Sequence, residues 1–377
     1  MNAVVDFGRR WCAPLSVAAL AAAPLAAGGA QVRPADLEMP RYAHILVIIA
    51  ENKSFAQIIG PGTRAPNINR LSREYGYASE FYAEVHPSEG NYVAMLGGDT
   101  FGIHDDDAFY CKPGERDPYC PNSAQAGYLD HTLTARSLMD QLQEKGLSWK
   151  AYMESLPAPG SLAVRWPARD QPVAGLPAEL YAVKHNGFLN FQRVQQDPER
   201  AARIVDFEQL YRDLAAGQLP NYAHIVPNQC DDMHGREPGP STPENCRDSN
   251  SVGLIERGDR VIADLVQRIM DSAAWSAPEH TAIVITFDEN DEDERHAAHQ
   301  GCCGFKAESA ANFGGGHIPT IVITNHGPRQ LVDATRYNHY SLLRTTEAAF
   351  GIGQYLRHAG DEREGVVTMT ALFAVSR

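Results

Sequence analysis

The sequence predicts an α/β fold: a mainly parallel central sheet with helices on both faces, built as a single domain with cap-like loops. Continuous apolar runs of strand length alternate with amphipathic stretches of helix length, as strands buried on both faces require. Residues with chemical potential also recur directly after those runs, at what would be the carboxyl edge of one sheet. The chain's 377 residues suffice for one large domain.

Taken in order, residues 1–30 read as a signal sequence. Arg9 and Arg10 supply positive charge, 13–27 a short apolar segment, and 26–30 small residues for cleavage. That run is too short and too rich in alanine to span a membrane, and no later stretch is long and apolar enough. Residues 31–377 are then the catalytic domain, secreted or periplasmic. The run 42–50 is a fully buried strand ending at Glu51 and Asn52. A helix is expected over 67–75, a strand over 79–85 ending at His86, and a helix over 91–96 that Gly97 and Gly98 stop. Residues 104–130, rich in Asp, Pro, Tyr and Cys, read as a long loop. An amphipathic helix spans 133–145 and a strand 149–153, and the proline-rich 156–180 is an irregular cap. Beyond it come a helix at 207–216, a strand at 222–226, the longest helix at 252–273 and a strand at 282–286. The last core strand is 318–324, and a late helix covers 340–350.

A formal charge of −14 argues against nucleic acid or an anionic membrane as an electrostatic partner. It leaves an anionic substrate open, because a local cation reverses the field in a cleft. Seven cysteines become six once Cys12 leaves with the signal, an even number that favours disulfides in an exported chain. Proximity pairs Cys111 with Cys120 and Cys230 with Cys246. Cys302 and Cys303 are adjacent, and sequence leaves them vicinally bonded, reduced or paired elsewhere.

Each candidate lies just after a strand: Glu51 and Asn52, His86 and Ser88, Asp232 and His234, Asp288 and Glu289. His317 precedes the last strand, after three glycines. Ser88 opens a helix, where its hydroxyl lies near free N–H groups and the positive dipole end, a setting for phosphate or for a plain N-cap. A cation held by Glu51, Asp288 and Glu289 would lower the serine pKa, and oxygen ligands favour Ca, Mg or Mn over Zn. The next acids along, 291–294, read as solvated.

Six motifs in order (E-N-K-S-F, H-P-S-x-x-N-Y, K-H-N-G at 184–187, P-N-x-C-D-D-M-H-G, T-F-D-E-N-D and G-G-G-H-I-P) resemble the bacterial phosphoesterase family over about 42–353. That family holds secreted acid phosphatases and phospholipases C within the alkaline-phosphatase-like superfamily. The resemblance implies that Ser88 is a nucleophile that becomes phosphorylated and that Asn91 contacts phosphate. Glu51, Asn52, Asp288 and Glu289 would bind one divalent metal, with His185 and His234 near the phosphate or leaving group. Asp232 and His317 would complete the substrate site. Superfamily members with two zinc ions carry Asp-His where this chain has Asp288 and Glu289, so one metal is expected. Gly187 stands where Pro is usual, which is expected to loosen its loop. Protonated site histidines would give an acidic optimum.

The reading is a secreted, metal-dependent acid phosphatase acting on small phosphate esters. Phospholipase C is the nearest alternative, and a phosphoinositide phosphatase remains open. The chain is short for a phospholipase C, with no added carboxyl-terminal β-domain expected. A non-catalytic, exported calcium-binding module is the competitor from another class, with no need for a serine at position 88.

Overall fold

Strand β1 (His44–Ala50) lies at the centre of the sheet, with no residue beyond its first more than slightly exposed. The computed structural model describes residues 38–291, 301–304 and 314–375, so the expected signal sequence and the acids 292–294 lie outside the described residues. The other strands are β2 (Gly76–Tyr82), β3 (Trp149–Met153), β4 (Arg165–Trp166), β5 (Tyr181–Ala182), β6 (Ile204–Val205), β7 (Tyr222–Val226), β8 (Thr281–Phe287), β9 (Thr320–Thr324) and β10 (Leu331–Asn338). Eight form one sheet in the order β10-β2-β9-β8-β1-β7-β3-β6, and β4 pairs with β5 apart from it.

β1 pairs in parallel with β7 on one side and β8 on the other. Among the described strands of this sheet only β9 reverses, running antiparallel to both β8 and β2. The mainly parallel α/β sheet expected from the apolar runs is therefore present. β8, buried along its whole length, shows why those runs lack polar alternation.

Strands 149–153 and 222–226 and the Phe207–Ala216 helix fall on their expected bounds. Other boundaries moved for local reasons. The helix expected from 133 begins only at Leu138, where Ser137 and Asp140 close a capping box, while Leu133 bridges to Phe191 instead. β2 starts at Gly76, where a β-carbon would stand 3.0 Å from a Leu372 methyl and 3.2 Å from the Leu331 carbonyl. β10 was not expected: its alternating burial suits the half-solvated edge strand that it is.

Cys111 is bonded to Cys120, Cys230 to Cys246, and Cys302 to Cys303. The first two pairs are those proximity selects, and the third resolves the open alternative.

Candidate active site

Strands β8, β1 and β7 are neighbours, and being parallel they deliver the residues beyond their carboxyl ends to one sheet edge. Asp288 and Glu289 come after β8, Glu51 and Asn52 after β1, and the turn holding Asp232 and His234 after β7. Backbone bonds lock the three exits together: Asp288 N–H donates to the Ala50 carbonyl (3.1 Å) and Glu51 N–H to that of Asp232 (2.8 Å). Asn52 N–H donates to Asp288 Oδ1 at 3.0 Å.

Ser88 stands at the amino-terminal boundary of the Glu89–Gly97 helix and is 1% exposed. Its side chain does not cap that helix. Its hydroxyl instead donates to Glu51 Oε2 at 3.1 Å. One turn on, the Tyr92 hydroxyl donates to the other Glu51 oxygen, and the Tyr92 ring stacks on His185 with centroids 5.5 Å apart. His185 Nε2 is 3.4 Å from Glu51 Oε2, and its Nδ1 is 3.4 Å from Asp232 Oδ2. One ligand atom each from Glu51, His185 and His234 lies within 4.8 Å of the other two. Gly187 does not loosen the His185 loop. A β-carbon there would sit 2.7 Å from the Tyr92 backbone, so the glycine brings the loop and the Glu89–Gly97 helix into contact.

Glu51, Asp232 and Asp288 are fully buried. Burial, then the charges of Asp288 and Asp232, hold the Glu51 carboxyl well above the usual range. Burial raises Asp232 and Asp288 as well. Asn52 Oδ1 and Asp288 Oδ2 are buried without a hydrogen bond, and Asn52 takes the left-handed conformation at φ 49°. Converging buried carboxylates with unsatisfied oxygens fit a divalent cation, which would offset both the repulsion and the missing bonds. Two imidazoles lie beside Glu51, so nitrogen donors stand next to the oxygen set expected.

His185 and His234 are held well below the usual imidazole range by burial and then by Lys184. That direction runs against the expectation that protonated site histidines create an acidic optimum. His234 Nδ1 donates to the Gly235 carbonyl (2.9 Å), leaving Nε2 to face Lys184 Nζ at 3.2 Å. Burial would lower Lys184, but Asp106, 2.9 Å from Nζ, and then Glu51 hold it above its usual value.

Three expected site residues have other partners. Glu289 Oε2 is 3.0 Å from His86 Nδ1, and His86 Nε2 is 2.7 Å from Asn290 Oδ1, so this acid braces the turn before Ser88. Asn91 was expected on phosphate. Its Oδ1 instead accepts from Glu84 and Val85 N–H, and its Nδ2 donates to the Val85 carbonyl, which makes it the clamp of that turn. His317 was expected at the substrate, yet its ring stacks between Phe55 and Tyr82 and its Nε2 meets the Ser79 carbonyl at 2.9 Å. The preceding glycines serve packing: β-carbons at Gly315 and Gly316 would fall 2.4 Å from Ala83 and 2.2 Å from Asn290. Asp291 is not merely solvated, since it accepts from Gln57 Nε2 at 2.8 Å. Lys184, Tyr92 and Asp106 were missed as participants. The K-H-N and N-Y motifs name two of them, but nothing local to the sequence shows that they face Glu51 and His234.

A serine hydroxyl on a buried carboxylate, among further acids, a lysine and two histidines at a parallel-sheet edge, is a site of the class that phosphoric ester hydrolases build. The chain belongs to the phosphoesterase family, whose model matches residues 61–353. It is 26% identical over 326 residues to a probable acid phosphatase of Kluyveromyces lactis, covering 86% of this chain and 62% of that one. It is 27% identical to the phosphatidylinositol-3-phosphatase of Mycobacterium tuberculosis over 85% of this chain and 81% of that protein. The chain thus spans less than two thirds of the fungal relative's length. The sulfatase PsFucS1 of a Pseudoalteromonas species shares the fold at a TM-score of 0.50 and 12% identity, over 89% of this chain and 72% of that one.

Proposed function

We propose that the chain is an exported acid phosphatase that hydrolyses phosphate monoesters through a phosphoserine at Ser88, with 31–377 as its catalytic domain. The observation that carries this reading is the Ser88 hydroxyl donating to Glu51 rather than capping its own helix. A structural N-cap serine would do the reverse. Three bonded cysteine pairs support an oxidising compartment. No described helix is long and apolar enough to cross a membrane.

Glu51, Asn52 and Asp288 would hold one divalent cation, with Asp232, His185 and His234 beside them. When bound, the cation supplies charge stabilisation to the phosphoryl oxygens and favours the serine alkoxide. Ser88 Oγ, freed of its proton toward Glu51, attacks phosphorus while the bond to the leaving alcohol breaks. Tyr92 holds Glu51 from its other oxygen, and Asp232 accepts the His234 N–H at 2.7 Å, fixing the turn that carries the imidazole. The Lys184 ammonium, oriented by His234 Nε2, supplies the proton to the departing alcohol, and the amine left behind recovers one from the water that cleaves the phosphoserine.

The test is hydrolysis of p-nitrophenyl phosphate by wild type and Ser88→Ala, with and without chelator and with divalent metals restored. Activity that falls by about 10³-fold or more in the variant is expected for loss of a covalent nucleophile. A fully active Ser88→Ala sinks the nucleophile. A wild type inert on monoesters, phosphocholine lipids and phosphoinositide head groups alike returns the chain to the calcium-binding reading.

A further inference from the structure

A cleft of about 260 Å³ opens beside the proposed site and shares three residues with it, Asp106, Lys184 and His234. Its floor is the Glu179 carboxylate, 3% exposed, on which three arginines converge. Arg165 Nη1 reaches Oε1 at 2.8 Å, Arg169 Nε the same oxygen at 3.0 Å, and Arg236 Nη2 binds Oε2. Arg236 is held further by the Ala178 carbonyl and by Gln229 Oε1, each at 3.1 Å. The Arg165 guanidinium lies over the Tyr119 ring at 5.2 Å. The forks are therefore fixed before any ligand arrives, which limits the ordering cost of binding.

The charges lining the cleft balance. The three arginines and Lys184 face Glu179, Asp106 and two outer acids, Glu237 and Asp248, four of each sign. A balanced mosaic of donors and acceptors offers no net attraction to a second anion, but it can donate to and accept from hydroxyls. The apolar lining is confined to Val164, Ala182, Val183 and the Tyr119 face, and the volume falls below the span typical of drug-sized ligand sites. Neither suits acyl chains. Because Lys184, oriented by His234, protonates the leaving alcohol in the proposed mechanism, and both line this cleft, whatever continues from that oxygen enters it.

We propose that the cleft is the leaving-group subsite and that it takes an uncharged, hydroxyl-rich alcohol, so that the preferred substrate is a polyol or sugar monophosphate. This rests on the phosphatase reading. The test measures kcat/KM of wild type, Arg165→Ala and Arg169→Ala on phenyl phosphate, glucose 6-phosphate, glucose 1,6-bisphosphate and dioctanoyl phosphatidic acid. Wild type is expected to favour glucose 6-phosphate over the other three. In each arginine variant the ratio of kcat/KM for glucose 6-phosphate to that for phenyl phosphate is expected to fall about tenfold, as when a site loses bonds to a substrate hydroxyl. An unchanged ratio in both variants overturns the subsite. A wild type that prefers the bisphosphate or the lipid overturns the uncharged, hydroxyl-rich assignment. Hydrolysis of phenyl phosphate without these preferences leaves the phosphatase standing and removes only the subsite, whereas inactivity on every ester removes both.

Discussion

At the residue scale, Glu51 is where the site's interactions meet: it accepts from Ser88 and Tyr92 and lies beside His185. Lys184, placed by Asp106 against His234, is its counterpart on the leaving-group side of the proposed mechanism. Lys184→Met keeps the stem and removes the charge. It is expected to lower kcat by about 10²–10⁴-fold, the range for losing proton transfer to a leaving group. The loss should shrink on p-nitrophenyl phosphate, whose leaving group needs little protonation, relative to an alkyl phosphate. Equal losses on the two would show that Lys184 serves phosphate binding instead. Tyr92→Phe leaves a buried Glu51 oxygen without its donor and is expected to cost about 1–3 kcal/mol in stability. Urea unfolding with midpoint and slope compared to wild type measures that cost.

At the element scale, the helix that begins after Ser88 is anchored from behind by the long loop 104–130 and its continuation. Glu89 N–H donates to Asp106 Oδ1 at 3.2 Å, and His131, 1% exposed, is wedged between Glu89 Oε2 (2.9 Å) and Asp105 Oδ1 (3.0 Å). Burial would lower the His131 pKa, but its bonds to Asp105 and Glu89 raise it to about 10. A raised imidazole contributes stability that is complete below its unfolded value, near 6.5, and lost as pH rises through about 10. His131→Phe strands the buried Glu89 and the partly exposed Asp105 and is expected to cost about 3 kcal/mol at pH 6. The deficit should narrow toward pH 10, and a deficit that stays constant with pH would mean the pair is not charged. None of this anchoring was legible in the sequence. The apolar runs of β1, β7 and β8 announce themselves because burial on both faces leaves an unbroken hydrophobic signature, and so Glu51, Asp232 and Asp288 could be placed at one edge. A loop built from turns and a Cys111–Cys120 bond has no periodicity to read. The reversal of β9 was likewise hidden, because a buried strand looks the same in either direction. Asn91 and His317 misled for a related reason: a motif fixes which residues occur, while only the turn and the flanking rings fix what they touch.

At the scale of the whole molecule, burial has left carboxyls outside the proposed cation site that favour the neutral form. Glu84, buried against the start of the His339–Ala349 helix, is pushed up to about 8 by burial. Glu347, inside that helix, is pushed up to about 7 by burial, although hydrogen bonds from Gln141 and the Leu356 N–H partly offset it. Proton counting sets the sign. Between the unfolded carboxyl value of about 4.3 and these folded values, the native state binds more protons than the unfolded chain, so stability falls as pH rises. The contribution is complete below about 4.3 and is lost through 7 and 8. Glu179, held at about 2 by Arg169 and Arg165 against the effect of burial, works the other way and loses its contribution only as pH falls through about 2 to 4. The formal charge of −14 adds self-repulsion that also weakens toward the pI of about 5.4. Buried histidines with lowered values, His185, His234, His224 and His339, oppose this below about 6.5, so the fold is expected to melt higher at pH 6.5 than at pH 8, by roughly 5 °C. Scanning calorimetry in metal-free buffer at the two pH values measures the difference without the contribution of a bound cation. Glu84→Gln presents the shape of the protonated acid at every pH, so it should raise the melting temperature more at pH 8 than at pH 6.5. If that substitution instead lowered stability equally at both pH values, Glu84 would be ionised in the fold, and the acid preference would belong to net charge alone.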